Sequence, residues 1–366
     1  MYHYCCIYIL FLCVCLEYRY RLFSWDQDNE TMCEFSEWGP SYSLIPVLYM
    51  IIFILGLSGN GVVIFTVWKS DCKRRLADVY IGHLALADLT FVVTLPLWAV
   101  YTALSYHWPF GVPLCKISSY VVLVNMYASV FCLTCMSFDR YLAIVWPQPG
   151  GRLRSRATIL GSLATIWLAS ILLAAPTLLF RTTVEDTSKR ITCGMDFSVV
   201  TSDHEQEALW IAGLSLSSTM LGFVLPFLAM TVCYCFIGRA ITRHFNGVRK
   251  EGQRRRRLLK IITTLVVVFA VCWTPFHVLK TADALSYLRL APSSCSFLSA
   301  LLLAHPYATC LAYINSCLNP FLYAFFDLRF RAQCLRLLRL GGKEAPEGSN
   351  SSQVQKCEAQ TLATKV

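Results

Sequence analysis

Long apolar stretches dominate the chain and stop abruptly at charged or turn-forming residues. Seven such runs follow one another, at roughly 44–68, 79–103, 115–145, 157–180, 209–241, 256–288 and 297–323. About 20 apolar residues cross the hydrocarbon of a bilayer as a helix, so the pattern predicts seven transmembrane helices. Several runs exceed that length, and tilt or extension beyond the membrane is expected for them. Pro96, Pro176, Pro226, Pro275 and Pro320 lie inside the runs. Neighbouring helices can satisfy the backbone groups a proline frees, so the reading is kinked rather than broken helices.

Composition agrees. Of 366 residues, 56% are hydrophobic and only 15% charged, against about 25% charged in an ordinary soluble chain. The fold class expected is an all-α membrane protein, a seven-helix bundle followed by a short amphipathic eighth helix. The organisation expected is an outer N-terminal segment at 1–43, the bundle at 44–326, the amphipathic helix at 327–340 and a polar disordered tail at 341–366.

Lys and Arg set the orientation. They crowd the connections after span one (Lys69, Lys73, Arg74, Arg75), span three (Arg152, Arg154, Arg156) and span five, and the tail after span seven. The alternate connections are sparse in them. Cytoplasmic loops carry such excess, which puts the N-terminus outside and the net charge of +10 mainly inside. The run Arg254–Arg257 then reads as a cytoplasmic extension of span six rather than as a nucleic-acid patch. Cys5 to Leu16 is apolar and of signal-core length, with no basic residue before it. A cleaved signal, an extra hydrophobic segment and a start-site artefact all remain open for residues 1–25.

This orientation places Cys33, Cys115, Cys193 and Cys295 outside, where disulfides form. Four cysteines allow three pairings. Cys115–Cys193 would tether the loop after span four across the bundle mouth, and Cys33–Cys295 would then tie the N-terminal segment to the last outer loop. Asn29-Glu30-Thr31 is a glycosylation acceptor on the same side. Cys132 and Cys135 read as buried thiols rather than a zinc pair, and Cys334 is a thiol open to palmitoylation or left plain.

Charge within a bilayer is costly and usually functional. Asp88 stands in mid span two, while Asn60, Asn125, Ser129, Asn315 and Asn319 lie at similar depth in other spans. Together they could make an oxygen-lined pocket for a small hard cation. The alternative is a protonated Asp88 that helps pack the bundle. Asp139-Arg140-Tyr141 ends span three, Cys272-Trp273-Thr274-Pro275 puts a bulky ring beside a hinge in span six, and Asn319-Pro320-Phe321-Leu322-Tyr323 makes a second polar hinge in span seven.

With Gly59-Asn60, Leu84-Ala85-Leu86-Ala87-Asp88, Trp167 and Pro226 with Tyr234, these motifs resemble the rhodopsin-like family of G-protein-coupled receptors over nearly all of 40–340. The resemblance implies an inhibitory sodium pocket of Asp88, Asn125, Ser129, Asn315 and Asn319. It implies movement of Trp273 and Tyr323 on activation about Pro275 and Pro320, with Tyr234 beside the cleft and Arg140, between Asp139 and Tyr141, meeting the G protein.

Further segments, Phe91–Ala99, Trp108-Pro109-Phe110-Gly111, Val124–Cys132, Leu179–Thr183 and Asn315–Asp327, resemble a peptide-hormone branch of that family. This implies basic peptide ligands, inhibitory G proteins and arrestin as partners, and roles in gastrulation, heart and vessel development. Receptors for angiotensin, bradykinin or chemokines are the nearest alternative. Matching that branch, Glu34 and Glu37 would meet the basic part of the peptide, and Tyr49, Trp98, Tyr106, Arg181, Lys280 and Tyr313 would line the deeper pocket. An acidic outer rim (Asp26, Asp28, Glu30, Glu185, Asp186, Asp196, Asp203, Glu205, Glu207) would steer a cation independently of any resemblance. Positions that such receptors fill with acids in the first and third outer loops read here as Ser105, His107, Ser296 and Leu298, and Phe276 stands for an expected tyrosine.

Other classes fit poorly. Span seven has no lysine for a retinal Schiff base, no inverted repeat suggests a transporter, and no metalloprotease or serine-elbow motif suggests an enzyme.

Overall fold

A computed structural model describes residues 25–26, 31–32, 41–68, 76–146, 155–185, 189–244, 249–292, 294–326 and 331. Among the described residues, seven helical spans are long and apolar enough to cross a membrane. They are Ser41–Trp68, Leu76–Val92 with Leu95–Ala103, Gly111–Ile144, Arg156–Ala174 with Pro176–Phe180, His204–Thr219 with Leu225–His244, Arg249–Tyr287 and Cys295–Phe326. The expected amphipathic helix at 327–340 falls, apart from Arg331, outside the described residues.

The prolines act in two ways. Span two kinks at Val93 and Thr94, where the Thr94 N–H and hydroxyl both turn back to the Phe91 carbonyl, at 2.9 and 2.8 Å. Pro96 has no N–H to offer one turn back, so the tighter turn takes its place. In span four the Leu172 carbonyl, four residues before Pro176, accepts the Ala175 N–H at 3.2 Å. Thr94 and Ala175 keep right-handed helical dihedrals, so each span is kinked, as expected, and crosses as one helix, Asp78–Ala103 and Arg156–Phe180. Span five passes through a π turn, Met220–Val224, just before Pro226. Pro275 and Pro320 stay inside unbroken helices.

Span three is the central post, with buried residues from Cys115 to Leu142 that include Leu123, Tyr127, Val130 and Leu133. At 34 residues it is about 50 Å long, well beyond the hydrocarbon thickness. Leu44, Val47, Ile51, Ile54 and Phe65 of span one are exposed, an outward apolar face suited to lipid. Its inward face needs small residues. A Cβ on Gly56 would sit 2.7 Å from Val92 Cγ1, and one on Gly59 3.0 Å from Pro320.

Strands occur only in the outer segments among the described residues. β1 (Trp25–Asp26) pairs antiparallel with β2 (Thr31–Met32), and β3 (Arg181–Glu185) with β4 (Ile191–Met195). A disulfide from Cys115, at the outer end of span three, to Cys193 on β4 holds the second hairpin across the bundle.

Candidate functional site

Three polar or aromatic layers follow one another down the bundle. At the mouth, Trp98 and Trp108 lie 5.2 Å apart between ring centroids, with Tyr101 against both. The Arg181 guanidinium, fully buried at the start of β3, stands 6.0 Å over the Trp98 ring. Tyr106 sits in the loop after span two, edge-on to Tyr42 and Tyr101. Deeper, Tyr313 of span seven packs against Tyr49 of span one at 5.6 Å and Phe91 of span two at 4.8 Å.

On the opposite wall the Lys280 ammonium donates to the Ser218 hydroxyl of span five and lies 5.6 Å from the Phe276 ring. His277 bonds Thr219 through Nδ1 at 3.1 Å and stacks on Phe223 at 4.7 Å. His305 packs on Phe276 at 5.5 Å. Trp98 Nε1, Trp273 Nε1 and His277 Nε2 are buried without a hydrogen-bond partner. Such groups each cost about 1–3 kcal/mol unless something bonds them, so they suit a ligand's polar atoms. Glu34, Glu37, Cys33 and Asn29 lie outside the described residues. Cys295, at the start of span seven, is disulfide-bonded.

Midway, the fully buried Asp88 carboxylate gathers donors from two spans. Asn125 Nδ2 reaches Oδ1 at 3.0 Å, Ser129 Oγ reaches it at 3.3 Å, and Asn319 Nδ2 reaches Oδ2 at 3.0 Å. The Ser316 hydroxyl donates to Asn125 Oδ1 at 3.4 Å, and Asn60 Nδ2 donates to the Ser316 carbonyl at 2.9 Å. Asn315, on the same helix as Asn319, is buried with its Nδ2 unpartnered, and Asn60 Oδ1 is likewise buried without a partner. The carboxylate, hydroxyl and amide oxygens of Asp88, Ser129 and Asn125 are a donor set that fits a hard cation such as sodium. Among the described residues no His, Cys, Asp and Glu cluster offers a transition-metal site.

At the inner end, Arg140 Nε lies 3.9 Å from Asp139 Oδ2, the two side chains 19% and 8% exposed. The Tyr234 hydroxyl of span five shares a 3.0 Å hydrogen bond with Ser137 of span three. Tyr141 packs against Phe138 and, across to span five, Phe236. Tyr323 is buried in the core. Trp273 packs between Phe269 and Phe276 at 6.2 and 5.8 Å, two residues before Pro275.

Ser316, Ser137 and His83, which accepts the Trp167 indole N–H at 3.1 Å, were not singled out from the sequence. A serine in a helix can satisfy itself on a carbonyl one turn back, as Ser137 also does on Leu133 at 2.8 Å. Its presence in an apolar run therefore carries little signal.

Residues 59–323 match the family described as 7 transmembrane receptor (rhodopsin family). The chain is 75% identical to apelin receptor A of Danio rerio over 344 residues, 92% of this chain and 95% of that one. It is 60% identical to the apelin receptor of Xenopus tropicalis, covering 93% and 96% of the two chains. With the type-1 angiotensin II receptor of Bos taurus the identity is 38%, over 85% of each chain.

Proposed function

The chain belongs to the rhodopsin family of seven-transmembrane receptors, a multi-pass plasma-membrane protein and not an enzyme, and from that premise we propose that its ligands are the basic peptides apelin and Elabela/Toddler. We further propose coupling mainly to inhibitory G proteins and arrestin, with roles in gastrulation and in heart and vessel development. The observation that carries the ligand reading is the 75% identity to an apelin receptor along nearly the whole chain.

The chemistry of the mouth supports it. Asp196, Asp203, Glu205 and Glu207 follow the roofing hairpin and, with Glu34 and Glu37 of the N-terminal segment, would draw in a cationic peptide. Below them the buried Arg181 and Lys280 are suited to the peptide's carbonyls or its terminal carboxylate, between the rings of Trp98, Tyr106, Tyr49 and Tyr313.

Binding then biases two arrangements of the bundle. Asp88 with Asn125, Ser129, Asn319 and Asn315 would hold a sodium ion, which neutralises the buried carboxylate when bound. An agonist favours the other state by its differential affinity alone. In that state span six swings about Pro275, beside Trp273, and Arg140, Tyr234 and Tyr323 line a cytoplasmic cleft for the G protein. Linkage requires bound G protein to tighten agonist binding by the same factor.

Labelled apelin should bind saturably to cells expressing the chain and lower forskolin-raised cyclic AMP. Confirmed surface expression without saturable binding would overturn the ligand assignment, and binding of angiotensin II in its place would transfer it to the neighbouring branch.

A further inference from the structure

Ile191 opens β4, and both of its backbone polar groups meet the loop after span two. Its N–H donates to His107 Nδ1 at 3.3 Å, and its carbonyl accepts the Trp108 N–H at 2.7 Å. Arg190 adds a bond from Nη1 to the Ser105 carbonyl at 3.4 Å. The first outer loop thus docks along the hairpin as a third, very short strand would. The chain is held in an unfavourable backbone there: Ser105 and Tyr106 take φ of 52° and 61°, a region that side chains with a Cβ rarely adopt. Such a conformation persists only where its surroundings impose it. Here the hairpin does so from one side, and the rings of Tyr42 and Tyr101 against Tyr106 do so from the other.

A backbone N–H can only donate, so His107 Nδ1 accepts the Ile191 bond through an unprotonated lone pair. A protonated imidazole carries N–H at both nitrogens and would set donor against donor. We propose that His107 is a proton-sensitive clasp between the two outer loops, closed while Nδ1 accepts from Ile191 and released when that nitrogen is protonated.

Release matters for the mouth. The next residue, Trp108, is buried against Trp98, Tyr101 and Phe110, and Trp98 lies beneath the Arg181 guanidinium. Among the described residues, the charged groups on the hairpin beside the clasp are Lys189, Arg190 and Glu185, the last paired with Ile191 across the two strands. The loop itself brings the phenol of Tyr106, span two that of Tyr101, and span one that of Tyr42. Protonation adds a cation to this rim, which, on the peptide-receptor reading above, also opposes entry of a basic ligand.

The clasp can be tested without any ligand. Hydrogen exchange at Ile191 in the full chain, in nanodiscs, is compared at about pH 7.5 and about pH 5.5, an interval in which imidazoles generally change charge. With intrinsic rates divided out, protection in the native chain should fall about tenfold at the lower pH, the worth of one hydrogen bond. His107→Asn supplies an oxygen acceptor that does not titrate, and should keep its protection at both. His107→Phe should be poorly protected at both. Equal native protection at the two pH values, or a parallel fall in His107→Asn, overturns the proposal. Labelled apelin binding at the same two pH values separates the two readings. No binding at either pH removes the peptide assignment and leaves the exchange result to decide the clasp. Binding whose pH dependence is the same in native and His107→Asn chains overturns the clasp's effect on the mouth.

Discussion

The Asn319 amide donates to the Asp88 carboxylate at 3.0 Å, so the residue before the span-seven proline is bonded directly to the acid in mid span two. Any movement about Pro320 must break or re-form that bond. Because the acceptor is a buried carboxylate, its partners decide how costly the movement is.

Asp88→Asn keeps the side chain's shape but removes its charge. In membranes bearing the native chain, replacing an inert cation by sodium at constant ionic strength should weaken agonist affinity about fivefold or more. The variant should show no such shift. A native receptor indifferent to sodium would remove the ion from the account and leave Asp88 as a packing element.

Glycine contacts predict opposite outcomes for one substitution at two sites. Gly56→Ala drives a methyl to within 2.7 Å of the stiff, β-branched Val92, so spans one and two must separate. Overpacking of this kind costs about 1–3 kcal/mol and should lower the melting temperature of the purified receptor. Gly161→Ala meets nothing within 4 Å and should leave the melting temperature unchanged or raise it, since alanine is the better helix former by up to about 1 kcal/mol. Equal effects at the two sites would refute this packing.

The Cys115–Cys193 bond closes a separation of 78 residues. Chain entropy puts an upper value of about 4.5 kcal/mol on such a cross-link. Cys115→Ser should therefore melt earlier and, because β3 and β4 lose their anchor to span three, lose most peptide affinity. Thermal melts and saturation binding on the same preparation check both. An unchanged affinity would mean that the hairpin holds its place over the mouth without the bond.

The seven spans were legible because a bilayer demands long uninterrupted apolar runs, and Asp88 stood out because charge there is so costly. Span six begins at Arg249 rather than near 256, since helical hydrogen bonds continue into charged sequence where hydropathy stops. The β3–β4 hairpin was overlooked although Thr182, Thr183, Val184, Ile191 and Thr192 are β-branched strand formers. Against seven long apolar runs a five-residue strand signal is faint. Motif acids and amides announced the polar core, whereas Ser137 and Ser316 did not, because a hydroxyl can be satisfied within its own helix. His107 was noticed only as a departure from acid; what it touches depends on a chain segment 84 residues away.

Ser137 offers the sharpest test of the inner face. Its hydroxyl meets Tyr234 at 3.0 Å in this arrangement, yet it also bonds the Leu133 carbonyl of its own helix. Removing it therefore frees Tyr234 without stranding a backbone group. If the Tyr234–Ser137 bond belongs to the resting state alone, Ser137→Ala should shift the balance toward the active state by the net worth of one neutral hydrogen bond, about 0.5–1.5 kcal/mol. Agonist-free lowering of cyclic AMP should then rise about two- to tenfold, with the maximal response intact. Tyr234→Phe removes the same bond together with a hydroxyl that the open cleft would use, so it should reduce the maximal response. A pair of variants with identical basal and maximal signalling would show that Tyr234 plays no different part in the two states.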